Sequence, residues 1–163
     1  MYANDSIYQF RDGELANSGP VLNSMLVLGF DLYGQPAART LGLLETLEFD
    51  LSKFRADEWQ GRSVYVVGAD AGDEHSPQFW IDQERLPFVY MLQPAGQDGE
   101  RTQEIQFNKY EPIGGGWIAP EVFIMTDGVM MMREVYRDMR ANVELDAGLF
   151  DVKIWQPGPW AEK

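Results

Sequence analysis

The 163-residue sequence contains no cysteine and a single histidine, His75. The absence of thiols excludes disulfides, thiolate nucleophiles and cysteine-ligated zinc, and a single imidazole limits histidine-based metal and catalytic sites. Positive charge is also scarce, because 13 Lys and Arg residues accompany 26 Asp and Glu residues, giving a formal net charge of −13. Such a charge repels phosphate backbones, and we therefore expect no nucleic-acid partner.

Long hydrophobic runs are absent as well. The most apolar stretch, Val21 to Tyr33, is too short to cross a bilayer and contains Asn23 and Asp31. The polar first residues show no signal-peptide pattern. These features predict either a cytoplasmic protein or an exported protein that has lost its leader.

Hydrophobic residues, which make up 45% of the chain, predict a folded domain with a sizeable core. No composition shift or linker divides the sequence, so one domain is expected over residues 1–155. Residues 156–163 contain two prolines and are expected to form an irregular tail.

Turn chemistry is the clearest signal in the sequence. Asp-Gly pairs at Asp12-Gly13, Asp98-Gly99 and Asp127-Gly128 favour two-residue hairpin turns, because both positions tolerate positive φ. The segments between the turns are rich in β-formers or alternate polar and apolar residues. Strands are therefore predicted at Arg62–Ala69, Pro77–Asp82, Leu86–Gln93, Thr102–Asn108, Trp117–Met125 and Val129–Arg140. Strands joined by short turns predict an antiparallel meander.

Two segments have helical periodicity. Apolar residues recur at helical spacing between Ser18 and Glu48, and Gly34 and Pro36 divide this region into two predicted helices. Val129–Arg140 also fits one helical face, but like charges four residues apart would disfavour that helix. The preceding Asp-Gly turn favours a strand.

Catalytic and metal-binding patterns are weak. The acidic stretch before His75 lacks the spacing of a calcium loop and is expected to be a solvated hairpin tip. The glycines at Gly114–Gly116 lack the Lys-Ser/Thr pair of a phosphate loop, which favours a turn. No metal or cofactor is expected. A carboxylate-based hydrolase is a hypothesis that we rank third, behind the two binding functions given below. Acidic residues are abundant, but the sequence does not show which of them would form a catalytic pair.

Apolar material is the stronger signal. Runs such as Val64–Val67 and Phe88–Leu92 are apolar on both faces, as expected for a sheet that is covered on both sides or lines a cavity. A cluster of methionines near the C-terminal hairpin has two interpretations, ordinary core packing or a surface for varied apolar partners.

One long stretch resembles the outer-membrane lipoprotein-sorting (LolA/LolB-like) superfamily. Residues 113–128, Ile-Gly-Gly-Gly-Trp-Ile-Ala-Pro-Glu-Val-Phe-Ile-Met-Thr-Asp-Gly, are similar to the family's strand with a glycine, a bulky residue and a proline. The segment after Val135 is similar to its C-terminal signature, with Asn142, Leu145, Asp146 and Phe150 at the characteristic positions. The resemblance covers about Ile7 to Asp151, and the N-terminal part is shorter than in the family.

The resemblance implies an incomplete β-barrel over an apolar cavity, in a periplasmic protein that holds acyl chains. We therefore expect an α+β fold with a curved antiparallel sheet of about seven strands and two helices on its concave face. The leading hypothesis is non-enzymatic binding of a lipid or an acylated protein. The alternative is a protein-interaction or envelope-sensing module whose cavity is filled by its own helices.

Two structural predictions follow. Alternation in the strands and helical spacing place one set of apolar side chains on a shared face as candidate lipid-binding residues: Met25, Leu28, Leu41, Leu44, Phe79, Ile81, Ile105, Phe107, Val122, Ile124 and Met131. The segment Ser6 to Arg11 is predicted to be an unprotected edge strand, through which two copies could form a homodimer.

Overall fold

The computed structural model describes residues 1–3 and 5–155, so the predicted tail at 156–163 lies outside the described residues. Contacts divide the chain into two compact units. Among the described residues, one unit comprises residues 24–141, and the other comprises residues 1–3, 5–23 and 142–155. The single domain expected over residues 1–155 stays a prediction.

The smaller unit contains a three-stranded antiparallel sheet. Its strands β1 (Tyr2–Ala3), β2 (Ser6–Arg11) and β3 (Glu14–Pro20) lie in sequence order. The prediction that Ser6–Arg11 is an unpaired edge is wrong, because β2 is the central strand with a neighbour on each side. β1 and Met1 pair with its first part, from Ser6 to Tyr8, and β3 pairs along its whole length.

A seven-stranded antiparallel sheet forms most of the larger unit. Its strands are β4 (Phe54–Trp59), β5 (Arg62–Val67), β6 (Gln78–Asp82), β7 (Phe88–Ala95), β8 (Arg101–Asn108), β11 (Glu121–Thr126) and β12 (Val129–Val135). Their spatial order is β12-β11-β8-β7-β6-β5-β4, so the predicted meander is confirmed. Over the described residues the sheet is open, because its two edge strands, β12 and β4, do not pair with each other.

The predicted strand Trp117–Met125 is divided into two. Its first part belongs to β10 (Gly116–Ile118), which pairs with β9 (Glu111–Ile113) in a separate two-stranded ribbon. Its second part is β11 of the main sheet. The break falls at Ala119 and Pro120, where proline has no backbone N–H to donate to a ladder.

Two helices precede the sheet, as predicted. They are α1 (Ser24–Gly29) and α2 (Ala37–Thr46), with a short 3-10 turn at Asp31–Tyr33 between them and Pro36 as the residue before α2. The ambiguous segment after Val129 is a strand, which ends at Val135 rather than at Arg140. The Asp127-Gly128 turn before it has φ values of 50° and 73°, as a two-residue hairpin requires.

The two faces of the main sheet carry separate apolar clusters. One cluster includes helix residues such as Leu28 and Leu44 together with Phe79, Met91 and Ile105 from the strands. The other cluster lies on the opposite face and is formed by Val64, Val66, Val89, Tyr90 and Leu92. The expected α+β fold, a curved antiparallel sheet with two helices packed on one face, is confirmed.

Candidate functional site

Most of the predicted lipid-binding residues come together on the helix-covered face. Six are buried in its core: Leu28, Leu44, Phe79, Ile105, Phe107 and Val122. Met25, Ile81 and Ile124 are partly buried against them. Leu41 and Met131 do not join this set, because their side chains are 51% and 63% exposed. The strand and helix side chains therefore pack against one another across most of this face.

An apolar pocket of about 380 Å³ lies next to this core and shares only Phe107 with the predicted set. It is lined by Gly29, Phe30, Tyr33, Phe107, Tyr110, Trp117, Ile118, Ala119, Tyr136 and Met139. These residues come from the end of α1, the following 3-10 turn, the end of β8, the β9–β10 ribbon and the segment after β12. We refer to it as the aromatic pocket.

A glycine lets the end of α1 approach the floor of the aromatic pocket. A Cβ atom at Gly29 would lie 2.7 Å from Cζ of Phe107, closer than carbon atoms can pack. The Phe107 ring also makes edge-to-face contacts with Phe30 and Phe88, at centroid distances of 5.8 and 5.0 Å. Because its neighbours hold this ring from several sides, the floor of the pocket is preformed.

The three tyrosines of the pocket use their hydroxyl groups within the protein. The Phe88 backbone N–H donates to the Tyr33 hydroxyl at 3.1 Å, and the Tyr110 hydroxyl donates to the Phe88 carbonyl. The Tyr136 hydroxyl donates to the Glu134 carboxylate. Burial raises the pKa of Tyr33 and Tyr110, and it raises that of Tyr136 to about 12, helped by Glu134. All three phenols are neutral near pH 7, so the tyrosines bring no charge to the pocket.

The guanidinium group of Arg85 contacts the lining of the pocket. The Arg85 guanidinium carbon is 4.2 Å from the ring centroid of Trp117, in a cation–π contact. The Trp117 side chain is 42% exposed, so this contact lies at the solvent side of the lining.

A second, polar cleft of about 550 Å³ lies over the other face of the sheet. Its lining combines strand residues with the loop that carries His75: Arg55, Asp57, Gly72, Asp73, Glu74, His75, Gln78, Trp80, Tyr90, Leu92, Thr102 and Glu104. The expected hairpin tip thus forms one wall of a cleft.

Two of the four carboxyl groups that line this polar cleft, those of Asp57 and Asp73, have hydrogen-bond partners that lower their pKa. Asp57 accepts hydrogen bonds from the Glu58 backbone N–H and the Arg55 guanidinium, and these lower its pKa. Asp73 accepts from the backbone N–H groups of His75 and Ser76, and contacts with Ser76 contribute most to lowering its pKa to about 2. A general acid at neutral pH needs a raised pKa. Both carboxyls are instead ionised.

Sequence reasoning missed most of the aromatic pocket. Tyr33, Trp117, Tyr136 and Met139 lie in short or irregular segments, where neither helical nor strand periodicity indicates which way a side chain points. The available signal was compositional, namely aromatic residues next to turn residues at Tyr33-Gly34 and Gly116-Trp117.

Across the described residues, no group of three or more His, Asp or Glu side chains is placed to hold a metal ion. In the same part of the chain, no helix combines the length and apolar character needed to cross a membrane. Comparison of the chain with family models, with curated proteins and with solved structures gave no match in any of the three.

Proposed function

We propose that the protein binds a lipid, or the acyl chains of an acylated protein, in the aromatic pocket and performs no catalysis. The observation that carries this proposal is a preformed cavity whose lining is almost entirely aromatic or aliphatic. Its volume of about 380 Å³ falls within the range of small-molecule sites, ~300–1,000 Å³.

The hydrogen bonds of the tyrosines support an apolar ligand. A pocket for a polar ligand would present unused donors and acceptors to it. In the aromatic pocket Tyr110 and Tyr136 donate their hydroxyl hydrogens to the Phe88 carbonyl and the Glu134 carboxylate, and the Tyr33 oxygen accepts from the Phe88 N–H. A ligand entering this space gains contact with ring faces and displaces water from them, which favours an acyl chain.

A periplasmic location and a role in lipoprotein transport belong to the same proposal. They rest on the resemblance of residues 113–128, and of the segment with Asn142 and Phe150, to the lipoprotein-sorting superfamily. The aromatic pocket supports the ligand class, and the resemblance supports the place and the process.

Extraction of the purified protein with organic solvent, followed by mass spectrometry, tests whether it carries a lipid. A fluorescent acyl probe then tests the site. Phe30→Asp places a charge in the pocket at a side chain that is 47% exposed, and we expect it to abolish saturable binding. Phe54→Asp is the matched control, because Phe54 is also exposed and contacts an aromatic ring, that of Tyr65, away from the pocket.

An absence of both extractable lipid and saturable probe binding would contradict the proposal. Equal loss of binding in the two variants would place the site elsewhere. A folded Phe30→Asp protein, checked by its near-ultraviolet circular dichroism, is needed for either conclusion.

The packing of the helix-covered face favours the interaction module as a second candidate. Leu28 and Leu44 of the helices are buried in one cluster with Phe79 and Ile105 of the strands, as expected for a cavity filled by the protein's own helices. Strand β12 exposes Val129 and three consecutive methionines at the edge of the sheet. A lipid-free protein that binds another protein through this edge would favour that candidate.

A further inference from the structure

The cations of the larger unit fall into two groups. Most have a carboxylate partner within 4.0 Å: Lys53 with Asp70, Arg55 with Asp57, Arg62 with Asp82, Arg101 with Asp127, and Lys109 and Arg133 with Glu121. Within residues 24–141, the arginines left without such a partner are Arg85, Arg137 and Arg140, while Arg39 makes an interaction of its own.

All three arginines without a carboxylate partner belong to the surroundings of the aromatic pocket. Arg85 stacks on Trp117 of the lining at 4.2 Å. Arg137 directly follows Tyr136, and Arg140 directly follows Met139, and both of these neighbours line the pocket. Adjacent Cα atoms are about 3.8 Å apart, so the backbone at Arg137 and Arg140 lies next to that of two lining residues.

The lack of a carboxylate partner at these three arginines is informative because acidic residues are so abundant in the chain. The chain has twice as many acidic as basic residues, and ion pairs are correspondingly common along the rest of the sheet. Acidic residues are also close in sequence, since Glu84 precedes Arg85 and Asp138 follows Arg137. Neither forms an ion pair with these arginines in the described structure. The guanidinium groups are left for an anion from outside.

We propose that the aromatic pocket takes an amphiphile with an anionic head, whose chain contacts the aromatic rings while its carboxylate or phosphate is held by Arg85, Arg137 and Arg140. This inference rests on the proposed lipid-binding function and specifies its ligand class. The planar guanidinium group of arginine can donate paired hydrogen bonds to a carboxylate or to a phosphate, so the experiment tests a ligand with each head group.

The experiment compares three ligands with the same chain: tetradecanoate, tetradecyl phosphate and uncharged tetradecanol, titrated below their micelle concentrations into the full chain. We expect both anions to bind more tightly than the alcohol, with a preference that weakens at high salt. Arg85→Gln, and separately the double variant Arg137→Gln/Arg140→Gln, should each weaken binding of the preferred anion by about two- to fivefold per arginine, the range of an exposed ion pair. Binding of the alcohol should stay unchanged.

Arg101→Gln is the charge-matched control, because its partner Asp127 lies at the β11–β12 turn and neither residue lines the pocket. Equal affinity of the alcohol and the anions would overturn the inference while leaving the proposed function intact. A similar loss with Arg101→Gln would also overturn it, since the effect would then come from net charge alone. Failure of all three ligands to bind would contradict the proposed function itself.

Discussion

The last residue of helix α1, Gly29, lies so close to the Phe107 ring that a Cβ atom there would be 2.7 Å from its Cζ. Phe107 is buried and is held between Phe30 and Phe88, so its ring has little freedom to retreat. The contact joins the helix layer to the sheet at the floor of the aromatic pocket. Glycine is required here for space rather than for an unusual φ value.

Replacing this glycine should therefore destabilise the protein. We expect Gly29→Ala to lower the free energy of unfolding by about 1–3 kcal/mol, the usual cost of overpacking a core. The same displacement of Phe107 should weaken binding of an acyl probe. Chemical denaturation and probe titration measure the two effects.

Gly42 provides the matched control, because it lies within α2 and a Cβ atom there would meet nothing within 4 Å. Gly42→Ala should raise the free energy of unfolding by about 0.5–1 kcal/mol through helix propensity alone. If Gly29→Ala were also stabilising, the close contact with Phe107 would be refuted.

The Tyr33 hydroxyl is expected to contribute to stability through the Phe88 backbone. Phe88 is fully buried, and Tyr33→Phe removes the oxygen that accepts its N–H at 3.1 Å. A buried donor without a partner costs about 1–3 kcal/mol, and we expect a loss in that range by thermal or denaturant unfolding. Tyr136→Phe removes a hydroxyl that bonds to an exposed carboxylate, and its effect should stay within about 0.5 kcal/mol. Equal effects of the two changes would argue against a special role for the Tyr33 hydrogen bond.

The sheet was predictable because its signals are local. Alternation at Ile105 and Phe107 sets one face of β8, and the Asp127-Gly128 pair sets a turn whose two φ values are positive. Each signal depends on residues that are neighbours in the sequence. The order of the strands follows once short turns join them.

The exposure of Leu41 and Met131 was not predictable in the same way. Leu41 follows the same helical period as Leu44, but its side chain lies about 60° around the helix axis from that of Leu44. The buried stripe of α2 is narrow enough to include Leu44 and leave Leu41 exposed. Met131 lies where the β11–β12 register shifts, so it is left without a partner on β11. An irregularity of this kind changes which face a side chain occupies, and alternation in the sequence does not reveal it.

The aromatic pocket depends on long-range geometry. The Trp117 and Tyr33 side chains meet there because α1, β8 and the β9–β10 ribbon end in the same place. The resemblance led to the expectation of a cavity between the helices and the sheet, and the aromatic pocket shares only Phe107 with the residues predicted to line it.

The loop at Asp73 should make stability depend on acid. Its carboxylate accepts the backbone N–H groups of His75 and Ser76, and contacts with Ser76 contribute most to lowering its pKa to about 2. An unfolded aspartate titrates near ~3.9. The folded state therefore gains stability above that pH and loses it as the pH falls through about 2.

Asp73→Asn tests this dependence. The variant should unfold at a lower temperature than the unchanged protein near pH 6, and the difference should shrink between about pH 4 and pH 2. Asp98→Asn, in the exposed β7–β8 connection, should show a much smaller difference across the same range. A constant difference for Asp73→Asn at all these pH values would mean that the negative charge is not what stabilises the loop.

One of the two edge strands of the main sheet, β12, gives the last prediction. Strand β12 ends the sheet, and the side chains of Val129, Met130, Met131 and Met132 are all about half exposed or more. The edge has one charge of each sign, on Arg133 and Glu134, and both follow the apolar run without interrupting it. The opposite edge, β4, carries an arginine and two acidic residues among its six, which guard it against pairing. We therefore expect the protein to form a homodimer through β12.

Met131→Lys places a charge in the middle of this apolar run and should suppress concentration-dependent association in sedimentation velocity. Because the Met131 side chain is 63% exposed, the free energy of unfolding should change by no more than about 0.5 kcal/mol. Leu41→Lys is the control for an exposed apolar residue on a helix, and it should leave association unchanged. A protein that stays monomeric at high concentration would reject the homodimer. Equal suppression by the two lysines would show instead that association depends on overall charge, because each change makes a strongly acidic chain less negative by one unit.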